Sequence, residues 1–232
     1  MKTSLIEDKE HADGRETVFG FRPSNVTKIV LTGGTAGGKT QFIEFARDKL
    51  EARGYTVLTI NETSTEQRMN GIREAEDFDA VTFQRFVTDE TIWKERFYEH
   101  VATEKDRSNK IIIICDRGVL DGKAFLDDDP LFELMLEEHG MTTESVLDAY
   151  DGVIHLVTAA DGARDSYGNT NNPARTEDAD GAMWVDAQCR RVWSTHPHWI
   201  CVDNRVKDFD EKLNRALEAL LSICEDSHVK ER

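Results

Sequence analysis

From Lys28 onward the chain alternates between short β-branched runs and longer segments whose apolar residues recur every three or four positions. Such alternation predicts βα units closing on a parallel sheet. Residues 28–32 (KIVLT) predict a first strand. Residues 39–53 predict a first helix, with Phe42, Ile43, Phe45, Ala46 and Leu50 on its apolar face and Gly54 where a left-handed cap residue belongs. A second strand is predicted over 55–60. A long helix follows from 82 to 104, carrying Phe83, Phe86, Val87, Ile92, Trp93, Phe97 and Val101 near helical spacing. Residues 110–115 (KIIIIC) are apolar on both faces, as a central parallel strand requires. Strands four and five are predicted over 152–157 and 199–202. Helical character resumes near Asp178, and Phe209, Leu213, Leu217, Leu220 and Leu221 mark a closing amphipathic helix.

Residues 1–25 are polar, contain Gly14, Gly20 and Pro23, and predict a flexible or loosely docked N-terminal arm, in which 17–21 (TVFGF) is suited to pack on the body. The folded domain is placed at 26–225 and a short tail at 226–232. Residues 127–129 before Pro130 read as an acidic solvated turn.

Composition narrows the function. The 232 residues hold 29 Lys plus Arg against 45 Asp plus Glu, a formal net charge of −16. That argues against a general binder of nucleic acid or anionic membrane, which needs a basic footprint, but allows a local cationic pocket. Hydrophobic residues at 39% suffice for a core at this length. No apolar run approaches the roughly 20 residues of a spanning helix. Residues 1–20 lack the apolar centre of a secretory signal, so membrane insertion is not expected and a cytoplasmic location is. Cys115, Cys189, Cys201 and Cys224 are widely spaced and predict reduced, structural thiols.

Between the first strand and the first helix lies Gly33-Gly34-Thr35-Ala36-Gly37-Gly38-Lys39-Thr40, a full match to G-x-x-x-x-G-K-[ST] in its required context. Phosphate oxygens must be met by several backbone N–H groups in a tight concave turn, so side chains there are kept small. The helix N-terminus adds partial positive charge. Lys39 is expected at the β and γ phosphates of ATP or GTP, and the Thr40 hydroxyl on Mg²⁺.

In an open parallel sheet, ligands sit beyond the carboxyl ends of the strands. The second strand ends at Asn61-Glu62-Thr63, where Glu62 is placed to orient or deprotonate a hydroxyl nucleophile, or else to serve as a helix N-terminal charge. The third ends at Asp116-Arg117-Gly118, where Asp116 can hold Mg²⁺ and Arg117 can clamp phosphate, or the two can form a structural ion pair. The polar stretch after strand four, with Arg164 and Arg175, resembles a lid able to bring guanidinium groups to a transferring phosphoryl, and Arg175 is its strongest candidate. Arg190 and Arg191 lie near the end of the next helix. Residues 158–161 (TAAD) faintly resemble the base-reading element of guanine-nucleotide switches, with Ala159 in place of its Lys. Asn204 and Arg205, after strand five, are placed to contact the nucleotide base. His196-Pro197-His198 lacks metal-ligand spacing and reads as an ordinary loop.

The segments KIVLTGGTAGGKT (28–40), NETST (61–65), FQ (83–84), ICDRGVLDGKAF (114–125), VIHLVTAADGARDSYG (153–168), ARTE (174–177), VWSTHPHWICVDN (192–204) and DFDEKL (208–213) together resemble the P-loop domain of the family named for a photoreceptor channel-translocation defect protein. That AAA-type family is grouped with the ribosylnicotinamide kinase domain of NAD biosynthesis regulators. The resemblance implies an α/β, three-layer P-loop NTPase fold with a five-stranded parallel sheet of nucleoside-kinase-like type and an Arg-containing lid. Members of the named subgroup are described as GTP-binding and phosphoinositide-associated, with a second domain of the triphosphate-tunnel type. The 232 residues do not contain that domain, so lipid and channel roles are not carried over. Thr35-Ala36 stand where the family usually has Pro-Cys. A weaker resemblance to deoxynucleoside kinases implies Glu62 as base, Phe83-Gln84 as readers of the acceptor base and Asp116-Arg117 at the phosphates.

Three functions remain open. One is a phosphotransferase moving a γ-phosphoryl group from Mg-ATP or Mg-GTP to a hydroxyl of a nucleoside-like small molecule. Another is a nucleotide-binding regulator with slow hydrolysis, and a third is a nucleic-acid kinase, which the charge disfavours. A homodimer is compatible with each.

Overall fold

The structure, a computed structural model, describes residues 13–105, 110–126, 128–162 and 178–229. Five strands, β3 (Val26–Thr32), β4 (Tyr55–Ile60), β5 (Lys110–Asp116), β6 (Gly152–Leu156) and β7 (Trp199–Val202), form one sheet in the order β4-β5-β3-β6-β7. All their pairings are parallel. Central β3 is set by register: Ile29 lies opposite Ile114 on one side and Gly152 on the other. Period-two alternation divides its apolar residues, with Val26 and Val30 entering one core and Ile29 and Leu31 the other.

Each face is covered by helices, giving three layers. On one side, α1 (Lys39–Glu51) and α8 (Phe209–Val229) bury Phe42, Leu50, Leu217 and Leu220 against Ile112 and Ile114. On the other lie α3 (Ala80–Thr103), α4 (Asp121–Leu126), α5 (Asp129–Glu138), α6 (Thr143–Leu147) and α7 (Ala179–Trp193), burying Ile92, Phe132, Leu136 and Trp193. The short α2 (Thr63–Met69) lies between β4 and α3. The five strands and helices α1, α3, α7 and α8 match the pattern of the sequence. Helices α2, α4, α5 and α6 do not show in it, because segments such as TSTEQRM carry no apolar period. The expected acidic turn is a helix start instead. Asp128 caps α5 by accepting from Leu131 N at 3.0 Å, and Asp129 pairs with Arg191.

Residues 14–23, expected within a loosely docked arm, form a hairpin of β1 (Gly14–Thr17) and β2 (Gly20–Pro23), with Phe19 and Arg22 buried. Arg22 donates to Ala149 O at 2.6 Å and pairs with Asp151 at 3.3 Å. Thr17 Oγ1 donates to Glu99 Oε2 on α3 at 2.9 Å. Beneath the hairpin Lys28 Nζ lies 2.7 Å from Glu95 and 2.9 Å from Glu99, and 3.7 Å from the centre of the Phe19 ring. All four cysteines are free thiols. Among the described residues no helix is long and apolar enough to cross a membrane.

Candidate functional site

The phosphate loop joins β3 to α1 at the carboxyl end of the sheet. Gly38 is the N-cap of α1 and has φ 92°, a conformation glycine adopts without strain. Lys39 opens the helix, and its buried Nζ donates back to Gly33 O at 3.2 Å and Gly34 O at 3.0 Å. Burial, reinforced by the nearby Arg117 charge, pushes the Lys39 pKa down.

Asp116 is the last residue of β5 and is almost fully buried. Its Oδ2 accepts from Thr40 Oγ1 at 3.3 Å, while its Oδ1 is buried without a partner among the described residues. Burial, and then the charge of Glu62, raise its pKa to about 6. Arg117 follows at φ 69°, a backbone conformation costly for any residue with a Cβ. Its Nε donates to Glu62 Oε1 at 2.6 Å, and one terminal nitrogen reaches Gly33 O at 3.1 Å and Asp121 Oδ1 at 3.2 Å. The guanidinium also lies 4.8 Å from the centre of the Phe125 ring. Glu62 sits at the N-cap of α2 and accepts from Thr65 Oγ1 at 2.9 Å. Burial raises its pKa, but Arg117 and Lys39 outweigh burial and hold it at about 2.

A cleft of about 790 Å³ runs from this cluster to α3. Loop residues Thr35 to Thr40, Glu62, Asp116 and Arg117 line one end, and Phe83, Gln84 and Arg68 the other. The Arg68 guanidinium lies 4.8 Å from the centre of the Phe83 ring. Gln84 Nε2 is 3.4 Å from Thr88 Oγ1. The structure thus brings together the loop, both strand-end carboxylates, Arg117, Phe83 and Gln84.

Asn204, expected at the nucleotide base, has its side chain engaged within the protein in this structure. Its Nδ2 donates to Thr158 O at 2.8 Å and Asp161 O at 2.5 Å, and its Oδ1 accepts from the buried Lys212 Nζ at 2.8 Å. Burial lowers the Lys212 pKa to about 8. Arg205 is 93% exposed. Arg164, Arg175 and the lid assigned to them lie outside the described residues. Arg191 pairs with Asp129, and Arg190 lies 3.8 Å from Cys201 Sγ. His196 is buried against Tyr150 O, as an ordinary loop residue would be.

Asp121 escaped the sequence reading. It accepts from Thr32 Oγ1 at 2.7 Å, Gly118 N at 2.9 Å and Trp193 Nε1 at 3.1 Å, besides Arg117. Its sequence signals are its place in the ICDRGVLDGKAF segment and the i, i+4 spacing from Arg117.

Strand, glycine loop, lysine, threonine and helix in that order, at the carboxyl ends of a β4-β5-β3-β6-β7 sheet, define a nucleotide-binding P-loop protein of kinase-like fold. A family model described as "AAA domain" matches residues 28–212, and the chain belongs to that family. Its fold is similar to that of a thymidylate kinase from Ehrlichia chaffeensis, with a TM-score of 0.51 and 15% identity over 85% of this chain and 98% of that one. No curated protein matches it in sequence.

Proposed function

We propose that the protein is a small-molecule kinase that moves the γ-phosphoryl group of ATP or GTP to a hydroxyl of a nucleoside-like acceptor. One observation carries this: one cleft is lined by the phosphate loop with Glu62, Asp116 and Arg117 and also by an aromatic and amide pair, Phe83 and Gln84. A nucleotide hydrolase needs no second compartment of this kind. The resemblance of the sequence to a family grouped with ribosylnicotinamide kinase domains supports the same acceptor class.

Backbone N–H groups of the loop and Lys39 bind the donor phosphates. For Lys39 this means exchanging the Gly33 and Gly34 carbonyls for phosphate oxygens. Arg117 makes the corresponding exchange from Glu62, which frees that carboxylate. The acceptor oxygen then bonds to γ-phosphorus, the bond to the β–γ bridging oxygen breaks, and the acceptor proton passes to Glu62. Mg²⁺ fits the residues present. Asp116 Oδ1 is a buried oxygen lacking a partner, and the Thr40 hydroxyl adjoins its other oxygen. The bound ion would neutralise charge on the β and γ phosphates.

The regulatory alternative is favoured by one contact, the Arg117–Glu62 pair, which in this arrangement denies Glu62 its role as base. Labelled ATP or GTP, tested across a nucleoside and ribosylnicotinamide panel with Lys39→Ala and Glu62→Ala as controls, separates the two. Transfer by the wild type that both variants lose supports the kinase. Tight GTP binding with no acceptor modified refutes it. Lys39→Ala is expected to abolish nucleotide-dependent thermal stabilisation, and a full shift in that variant would remove the phosphate-loop assignment.

A further inference from the structure

The back of the phosphate loop is held by groups that no motif predicts. Gly34 N and Thr158 N both donate to Asp186 Oδ1, each at 2.9 Å. The other oxygen, Oδ2, lies 3.0 Å from Nε2 of the fully buried His155. Helix α7 approaches the loop so closely that a Cβ on Gly34 would sit 2.6 Å from Ala182 O and 2.9 Å from Asp186 Cβ.

The segment after β6 continues the clamp. Thr158 Oγ1 donates to Thr35 O at 2.5 Å, and Ala159 N donates to Ala36 O at 3.2 Å. In a trans peptide the C=O of one residue and the N–H of the next point in opposite directions. Drawing the Thr35 and Ala36 carbonyls toward 158–159 therefore aims the N–H groups of Ala36 and Gly37 the other way. Both residues line the cleft. Ala36 is held at φ 60°, a conformation that persists in a non-glycine residue only where its surroundings impose it.

We infer that Asp186 is a positioning residue for the donor phosphates. One carboxylate oxygen ties Gly34 to Thr158 and so presets the peptide planes of the loop for phosphate. The inference rests on the nucleotide-binding reading of that loop. Asp186 touches no phosphate in this scheme, and its effect is preorganisation: the loop is ordered before the ligand arrives.

Asp186→Ala leaves two buried N–H groups without an acceptor, whereas Asp186→Asn keeps the oxygen that both use. Thr158→Val keeps the Asp186 bonds and removes the tie to Thr35 O, together with the hydroxyl that accepts from Ala160 N at 3.3 Å. The measurements are Kd values for ATP, GTP and inorganic pyrophosphate by calorimetry with Mg²⁺, and Tm without ligand. Asp186→Ala is expected to weaken every ligand the wild type binds by about tenfold or more, by one common factor, because the loss lies in the phosphate cradle. Asp186→Asn is expected to recover most of that loss, and Thr158→Val to weaken the same ligands without a matching fall in Tm. A purely structural role would lower Tm and leave the Kd values of the folded protein unchanged. Wild-type affinity in the folded Ala variant, or an Asn variant as weak as Ala, overturns the inference. If Asp186→Ala does not fold, unchanged affinity in Thr158→Val overturns it instead. Should the wild type bind none of the three ligands, the phosphate-loop reading fails and the inference with it.

Discussion

Asp116 and Glu62 face the same cations yet titrate in opposite directions. The folded pKa of Asp116, about 6, lies above its ordinary value of 3.8, so the fold disfavours its ionised form. Without metal, the protein loses stability as pH climbs from 3.8 to about 6. Asp116→Asn should therefore stabilise the metal-free protein at neutral pH by about 1–3 kcal/mol while impairing transfer. Urea unfolding at several pH values checks this, and the gain should vanish in acid, below the ordinary carboxylate range. Glu62 has the opposite sign: its folded pKa of about 2 lies below 4.5, so its contribution is present above 4.5 and lost as pH falls toward 2. In Glu62→Gln that acid-sensitive component should be absent. The loop, Glu62 and Asp116-Arg117 are legible in the sequence because a motif and strand ends mark them. Asp121 and Asp186 are not, since their partners lie on separate elements and only folding joins them.

At the scale of elements, the strands are legible because β-branched runs have few alternatives to a buried sheet. The short helices are fixed instead by caps and neighbours, as Thr142 and Ser145 fix α6 with a capping box. The hairpin is the case where polarity misleads, because its polar residues find partners inside. Arg22 is charged and almost fully buried, held by Ala149 O, Asp151 and Glu99. Removing one partner from such a group leaves uncompensated buried charge. Arg22→Ala is expected to cost about 3 kcal/mol, read from the shift in urea midpoint at constant slope. The phosphate loop stands at the other end of β3, so nucleotide affinity per folded molecule should be unchanged.

Across the whole molecule the net charge is −16, and the cleft sets Lys39, Arg68 and Arg117 beside the carboxylates Glu62, Asp116 and Asp121. Long-range repulsion of an anionic nucleotide is screened by salt more than the short-range attraction of a partly buried pocket. The association rate of a fluorescent nucleotide is thus expected to rise, about twofold, from low to physiological ionic strength in stopped flow. A falling rate would show that the local pocket dominates the far field.

The placement of β3 also sets the order in which the molecule becomes competent. It is the first strand of the sheet to be synthesised, yet both of its neighbours, β5 and β6, come from far later in the chain. Contacts so distant in sequence form slowly, since a long loop must close before any pairing is gained. The phosphate loop leaves the ribosome early and acquires its walls late. During synthesis or refolding, capture of nucleotide should therefore be among the last signals to appear, a clock for completion of the sheet rather than for its nucleation.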